Sequence, residues 1–325
     1  MMKTQWHFLL LIFLMTTYAY AGQKQPHVVV LGIAKAGIVI PQVRGLLDGL
    51  EEAGYIDGKN VVIQVTQAEN AQDLRDHLTK LAQQKIDVIV ATSASETAIA
   101  KQVTSKIPIV FAPAMDPVSM GFVKSRSRPN ANLTGLSFTR DVEDNGKQLA
   151  VFKQVVPAMR HVTLFYDGHA ATPTLPAVLA SVKRVARNLN VQVADFPAGS
   201  AAEATQLLDR ASKGTTDGIF LICSATFRGM APLADRGAKI GAPLFGCTAT
   251  QVAEEGALMT YSPDIYYIGY RSAWYVDRIL KGAMPEQLPV EAPTKFELVV
   301  NLKTAHRIGL TIPPEVLILA DKVFQ

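Results

Sequence analysis

The sequence predicts an α/β protein made of two doubly wound parallel-sheet lobes joined by a hinge, and three features point there. Short β-branched apolar runs occur without alternation, as in Val88-Ile89-Val90, which suits parallel strands covered on both faces. Each run gives way to apolar residues at helical spacing, an alternation that right-handed crossovers turn into a parallel sheet. The second half of the chain repeats the plan of the first, and 325 residues suffice for two domains of ordinary size.

At the N-terminus, Lys3 precedes the apolar run Phe8 to Met15, and Ala19-Tyr20-Ala21 supplies the small-x-small pattern at which a signal peptidase cuts. Residues 1–21 read as a cleaved signal peptide, with an apolar run too short for a bilayer span of about 20 residues. The expected mature chain starts at Gly22 and resides in a bacterial periplasm.

In the first half, His27 to Ile33 reads as a strand, and Val43, Leu46, Leu47 and Leu50 recur at helical spacing until Gly54 stops the helix. A strand at Val61 to Val65 and a helix marked by Leu74, Leu78 and Leu81 follow. In DVIVATSASETAIAKQV, residues 87–103, a strand ends in small hydroxyl side chains. Ser93 and Glu96 there form a capping box that starts a helix. Strands at Ile107 to Phe111 and Leu133 to Phe138 close this half.

The second half is expected to hold strands at Val162 to Tyr166, Val191 to Phe196, Gly218 to Cys223, Pro243 to Gly246 and Ala257 to Tyr261. Val178, Leu179, Val182, Val185, Ala186 and Leu189 form a helical stripe facing the sheet. A helix from about Pro263 to Lys281 crosses back. The expected lobes are residues 22–138 with 262–284, and 139–261 with 285–325.

Composition excludes several classes. With 49% hydrophobic and 18% charged residues the chain is globular, and a net charge of +4 without a Lys or Arg block argues against nucleic acid as a partner. The six His show no metal-ligand spacing, so no metal and no cofactor is expected. No Gly-x-Ser-x-Gly elbow, phosphate loop or dinucleotide fingerprint is present, and a Ser93 or Ser95 nucleophile would have only His169 as a base, so an enzyme is not expected. Cys223 and Cys247 each end a predicted strand. In an oxidising compartment they can pair if those strands are neighbours, at about 4.8 Å spacing, or stay as two buried thiols, since disulfide geometry is demanding.

Ligands of open parallel sheets bind beyond the carboxyl ends of the strands. The corners there include Ala34 to Ile40, Thr92 to Ser95, Ala112 to Pro117, Tyr166 to Ala170, Ser224 to Phe227, Cys247-Thr248 and Tyr261-Ser262. Thr92, Ser93 and Ser95 combine hydroxyls with helix-start amides, though Ser93 has a capping role of its own. Lys35 either meets a ligand carboxylate or is solvated, and Asp116 either binds ligand or initiates the turn before Pro117. Tyr166 and Phe227 either wall an apolar ligand moiety or pack the lobe. Ser224, Thr226 and Thr248 complete the candidate binding residues. No carboxylate stands in Ser224-Ala225-Thr226, which leaves Asp116 as the chief acidic candidate for an ammonium.

The runs Gly54-Tyr55-Ile56-Asp57-Gly58-Lys59-Asn60, Ile107-Pro108-Ile109-Val110-Phe111, Asp116-Pro117-Val118 and Asn132-Leu133-Thr134-Gly135 resemble the ABC-transporter substrate-binding proteins of the tryptophan and tyrosine type. So does the C-terminal run LKGAMPEQLPVEAPTKFELVVNLKTAHRIGLTIPPEVLILAD. The resemblance covers nearly the whole mature chain. It implies a periplasmic-binding-protein fold, type I-like, with three crossovers, and a receptor that closes on a small molecule and passes it to an ABC permease in the inner membrane. An aromatic or branched amino acid or a related carboxylate is among the expected ligands, and a monomer is the simplest expectation. The alternative is a periplasmic sensor that presents its solute to a signalling receptor. Two positions depart from the family pattern: Asn130-Ala131 and Gly256-Ala257 stand where Gly-Gly is usual, so the turn at Asn130 is expected to be rebuilt.

Overall fold

A computed structural model describes residues 25–33, 40–68, 70–168, 173–211, 216–224, 226–227 and 229–325. The predicted signal peptide, Lys35 and His169 lie outside the described residues. The first sheet has five strands, β1 (His27–Ile33), β2 (Val62–Ala68), β3 (Val88–Ala91), β4 (Ile109–Ala114) and β5 (Leu133–Ser137), in the order β2-β1-β3-β4-β5. All neighbours are parallel. The central strand β3 is completely buried along Val88, Ile89, Val90 and Ala91, as its unbroken apolar run requires. Helices α1 (Pro41–Glu52), α2 (Ala71–Leu81) and α3 (Ala94–Val103) connect these strands.

The second lobe starts at α4 (Asp144–Val155) and continues through β6 (His161–Asp167), α5 (Leu175–Asn188), β7 (Gln192–Ala198), α6 (Ala201–Ala211), β8 (Gly218–Leu221), α7 (Ala231–Lys239), β9 (Leu244–Phe245), α8 (Ala249–Glu254) and β10 (Met259–Pro263). After α9 (Ile265–Leu280) come β11 (Phe296–Asn301), α10 (Leu302–Arg307), α11 (Pro314–Leu319) and β12 (Lys322–Phe324). The seven strands run β12-β11-β10-β9-β8-β6-β7. This sheet is not wholly parallel: β11 pairs antiparallel with β10, from Met259↔Val300 to Pro263↔Phe296, and β12 pairs parallel with β11. These last two strands extend the sheet beyond the expected set.

Each lobe has a core on both faces of its sheet. In the first, Leu74, Leu78 and Ile99 cover one face and Val43, Leu46, Leu50, Ile268 and Val276 the other. In the second, Phe152, Phe220 and Phe245 meet on one face, with centroids 5.6 and 4.9 Å apart, and Phe227, Leu208 and Leu233 lie on the other. At the departed turn Asn130 adopts φ 49°, the left-handed conformation that Asn tolerates, and the positive φ of 80° near the second departure falls on Gly256.

The chain crosses between lobes three times, each time beside the carboxyl ends of the parallel strands, and the third passage enters the antiparallel β11 at its amino end. Phe138, just past β5, donates its N–H to the Ala114 carbonyl at 2.7 Å and buries its ring in the second-lobe core. The second passage runs from Pro263 into α9. The third leaves Glu291, bridged to Leu136, and reaches Phe296, opposite Pro263. Arg271 grips the Glu291 carboxylate through Nε (3.0 Å) and Nη2 (2.7 Å), while Arg140 lies 4.3 Å over the Phe296 ring, itself 5.4 Å from Tyr261. Residues of all three passages therefore touch one another.

Helix α9 returns to the first lobe by lying on α1 at backbone distance. A Cβ added to Gly45 would sit 2.0 Å from the Tyr266 carbonyl oxygen, and one on Gly269 would sit 1.9 Å from the Gln42 carbonyl oxygen. At the far end of the same pair the Tyr55 hydroxyl donates to Asp277 at 3.0 Å. Burial and the Asp277 carboxylate push that hydroxyl up to about 12, so it stays a donor throughout the physiological range. Overpacked cores lose about 1 to 3 kcal/mol. Gly269→Ala, facing backbone that cannot swing away, is expected to cost about 3 kcal/mol or more, read as a fall of several degrees in the melting temperature.

Candidate functional site

Because all three passages lie beside the carboxyl ends of the parallel strands, the ends of β3, β4 and β5 and those of β6, β8, β9 and β10 border one interlobe region. Met115, just past β4, packs against the second-lobe core, and Ile265 packs against cores of both lobes. A separate cavity of about 600 Å³, lined among others by Pro26, Asp87, Lys106, Asn132 and Met284, lies at the amino ends of the first sheet, away from these corners.

In the first lobe Ser93 caps α3, its Oγ accepting the Glu96 N–H at 3.3 Å. The Glu96 carboxylate, wholly buried, reaches one residue further back than a simple capping box does: it accepts from both the N–H and the hydroxyl of Thr92, each at 2.7 Å. Thr92 and Ser93 therefore shape the corner, and Ser95, one residue into the helix, is exposed. Ser93 satisfies the Glu96 amide, so the first-turn amides without an intrahelical carbonyl are those of Ala94 and Ser95, at a helix end whose dipole is met in part by the Glu96 carboxylate. Asp116 takes the turn role: its carboxylate accepts from the Ser119 N–H (3.2 Å) and hydroxyl (2.6 Å).

In the second lobe the expectation of a corner without a carboxylate is corrected. Asp167, the last residue of β6, accepts the Ser224 hydroxyl at 2.8 Å and the Thr226 hydroxyl on the same oxygen. The two hydroxyls thus converge on a negative charge. Parallel pairing of β6 with β8, ending at Phe165↔Leu221, brings the two strand ends side by side. Asp167 falls within the corner Tyr166 to Ala170, and its position at the end of a predicted strand was the available signal. Tyr166 is half-buried and packs on the second-lobe core.

For Phe227 the structure takes the lobe-packing alternative. Its ring is 1% exposed and packed among Leu233, Ala234 and Val252 in the core, so it cannot wall a ligand in this conformation. Thr248 caps α8 by accepting the Gln251 N–H at 3.3 Å. The open alternative for the cysteines resolves as a disulfide: Cys223 and Cys247 follow neighbouring strands, with Cα atoms 5.4 Å apart. Among the described residues no group of His, Cys, Asp and Glu could hold a metal, and no helix is long and apolar enough to cross a membrane.

Known proteins share this architecture. A tyrosine-binding protein of Clostridioides difficile is 24% identical over 269 residues, spanning 82% of this chain and 76% of the relative. The crystal structure of a conserved domain protein from Vibrio cholerae superposes with a TM-score of 0.82 at 28% identity, over 92% of this chain and 100% of that one. The crystal structure of an ABC domain from Streptococcus pneumoniae in complex with L-Trp gives a TM-score of 0.83 at 22% identity, over 93% and 100% of the two chains. The family model of the ABC transporter substrate binding proteins matches residues 28–324, nearly the whole length, and the chain belongs to that family.

Proposed function

We propose that this protein is the exported receptor of an ABC importer and holds an aromatic α-amino acid between its lobes. The observation that carries this reading is the Asp167 carboxylate, with the Ser224 and Thr226 hydroxyls gathered on it, at the carboxyl strand edge of the second lobe. An α-amino acid is a zwitterion. Its ammonium suits Asp167, and its carboxylate suits the first-turn amides and Ser95 hydroxyl of α3. The half-buried Tyr166, adjacent to Asp167, offers an aromatic surface for the ligand side chain. A relative named for tyrosine and a structural neighbour holding L-Trp support the aromatic class. The family is one of solute binding, not catalysis.

Export is supported by the leader-like N-terminus and, independently, by the disulfide, since such bonds persist in oxidising compartments and are rare in the cytosol. Delivery to a permease follows from the family reading. Binding would transmit itself by closure, because a ligand touching both lobes favours the closed state by the difference between its affinities for the two states. Micromolar affinity, about 8 kcal/mol, lies within reach of a few charged hydrogen bonds and apolar burial.

Asp167→Asn should weaken L-tyrosine and L-tryptophan binding by about 10- to 100-fold, corresponding to the roughly 1.5 to 3 kcal/mol of a hydrogen bond to a charged group. Titration calorimetry measures this, and wild-type affinity in the variant would remove Asp167 from the ammonium site. Saturating amino acid should reduce the radius of gyration in small-angle scattering, whereas an unchanged profile would contradict closure. Deleting the gene should abolish high-affinity uptake of the labelled amino acid. Retained uptake would sink the importer role.

A further inference from the structure

We infer that the Cys223–Cys247 disulfide is a positioning element of the ligand cleft, fixing the Ser224–Thr226 corner against the Thr248 corner. The inference rests on the cleft reading above. It begins from the ladder of the second sheet, which is thinnest at β9. Strand β9 pairs with β8 only at Ile219↔Leu244 and Phe220↔Phe245, while toward β10 the backbone bonds Leu258 N–H to Leu244 carbonyl and Gly246 N–H to Met259 carbonyl continue up to the residue before Cys247; β6 and β7 pair continuously from His161↔Gln192 to Asp167↔Ala198. The seven-stranded sheet therefore has a seam between β8 and β9, and the ladder across it ends at Phe220↔Phe245, before the corners.

The cross-link stands beyond that end. Cys223 directly precedes Ser224, whose hydroxyl is held by Asp167, and Cys247 directly precedes Thr248, the cap of α8. One buried side chain bridges the same gap: Gln251, 7% exposed, accepts the Cys247 N–H at 2.6 Å and donates through Nε2 to the Phe227 carbonyl at 2.9 Å. The covalent bond and this amide bridge do together what ladder hydrogen bonds do elsewhere in the sheet. Both cysteines are buried, at 7% and 6% exposure. Without it the β8 corner is tied across the seam by the Gln251 bridge and core packing, and the hydroxyls that meet Asp167 lose part of their fixed frame.

The test compares wild type with Cys223→Ala/Cys247→Ala. The expected result is a loss of at least about fivefold in affinity for L-tyrosine and L-tryptophan at 25 °C, with native circular dichroism. Faster hydrogen exchange should appear in residues 222–227 and 246–250 but not in residues 88–97 of the first lobe. If the variant does not fold, the same exchange comparison is made on wild-type protein before and after reduction by dithiothreitol, which supplies two electrons and two protons and closes to its cyclic disulfide. Affinity within twofold of wild type together with unchanged exchange at the two corners would overturn the inference. So would exchange that rises equally in both lobes, which marks a general staple. Should wild type bind neither amino acid, the ligand reading of the preceding subsection fails, and the exchange pattern alone decides this one.

Discussion

The backbone-to-backbone contact of α9 with α1 is the constraint on which the architecture depends. A segment that follows the whole of the second lobe's parallel strand series must return to complete the first. It can do so only where Gly45 and Gly269 leave no side chain between the two helices. That return obliges the chain to pass between lobes again at Glu291, and the passages together hold the carboxyl edges of the two sheets toward each other. The facing of the two sheet edges is thus a product of helix packing at Gly45 and Gly269.

Polar groups near the strand-end corners divide into those whose partners lie on the same loop or helix and those whose partners come from another strand. Thr92, Ser93, Asp116 and Thr248 direct their side chains to neighbouring backbone or to carboxylates on the same loop or helix. Burying Glu96 completely is tolerable because the amide and hydroxyl of Thr92 meet it, and an ionised carboxylate without such partners would be costly. Asp167 differs in kind. Its hydroxyl partners come from a separate strand end, and they concentrate on one oxygen of a half-buried carboxylate.

Legibility in the sequence follows the distance between partners along the chain. The β3–α3 corner was readable because all its determinants lie within residues 88–96: an unbroken apolar run, a cap and a carboxylate three residues on. Asp167 was not, because its hydroxyl partners are 57 and 59 residues away and become neighbours only through the pairing of β6 with β8. Strand β11 escaped for a related reason, since its partner β10 precedes the excursion through the first lobe. Whether an aromatic at a strand end turns inward, as Phe227 does, or remains at the surface depends on packing from helices elsewhere in the chain. The cysteines stood between these cases: sequence placed them at strand ends, and adjacency of β8 and β9 decided their pairing.

The late return of α9 also has a bearing on biogenesis. Residues 144–263 form a contiguous stretch holding most of the second lobe, whereas the first lobe lacks one wall until Ile265–Leu280 has emerged. Long loops must close before those late contacts reward the chain, a topology that slows folding. Under the export proposed above, delayed completion of the leading half suits passage through a secretion channel unfolded: the portion that enters first is the portion that cannot finish collapsing until its tail has been made.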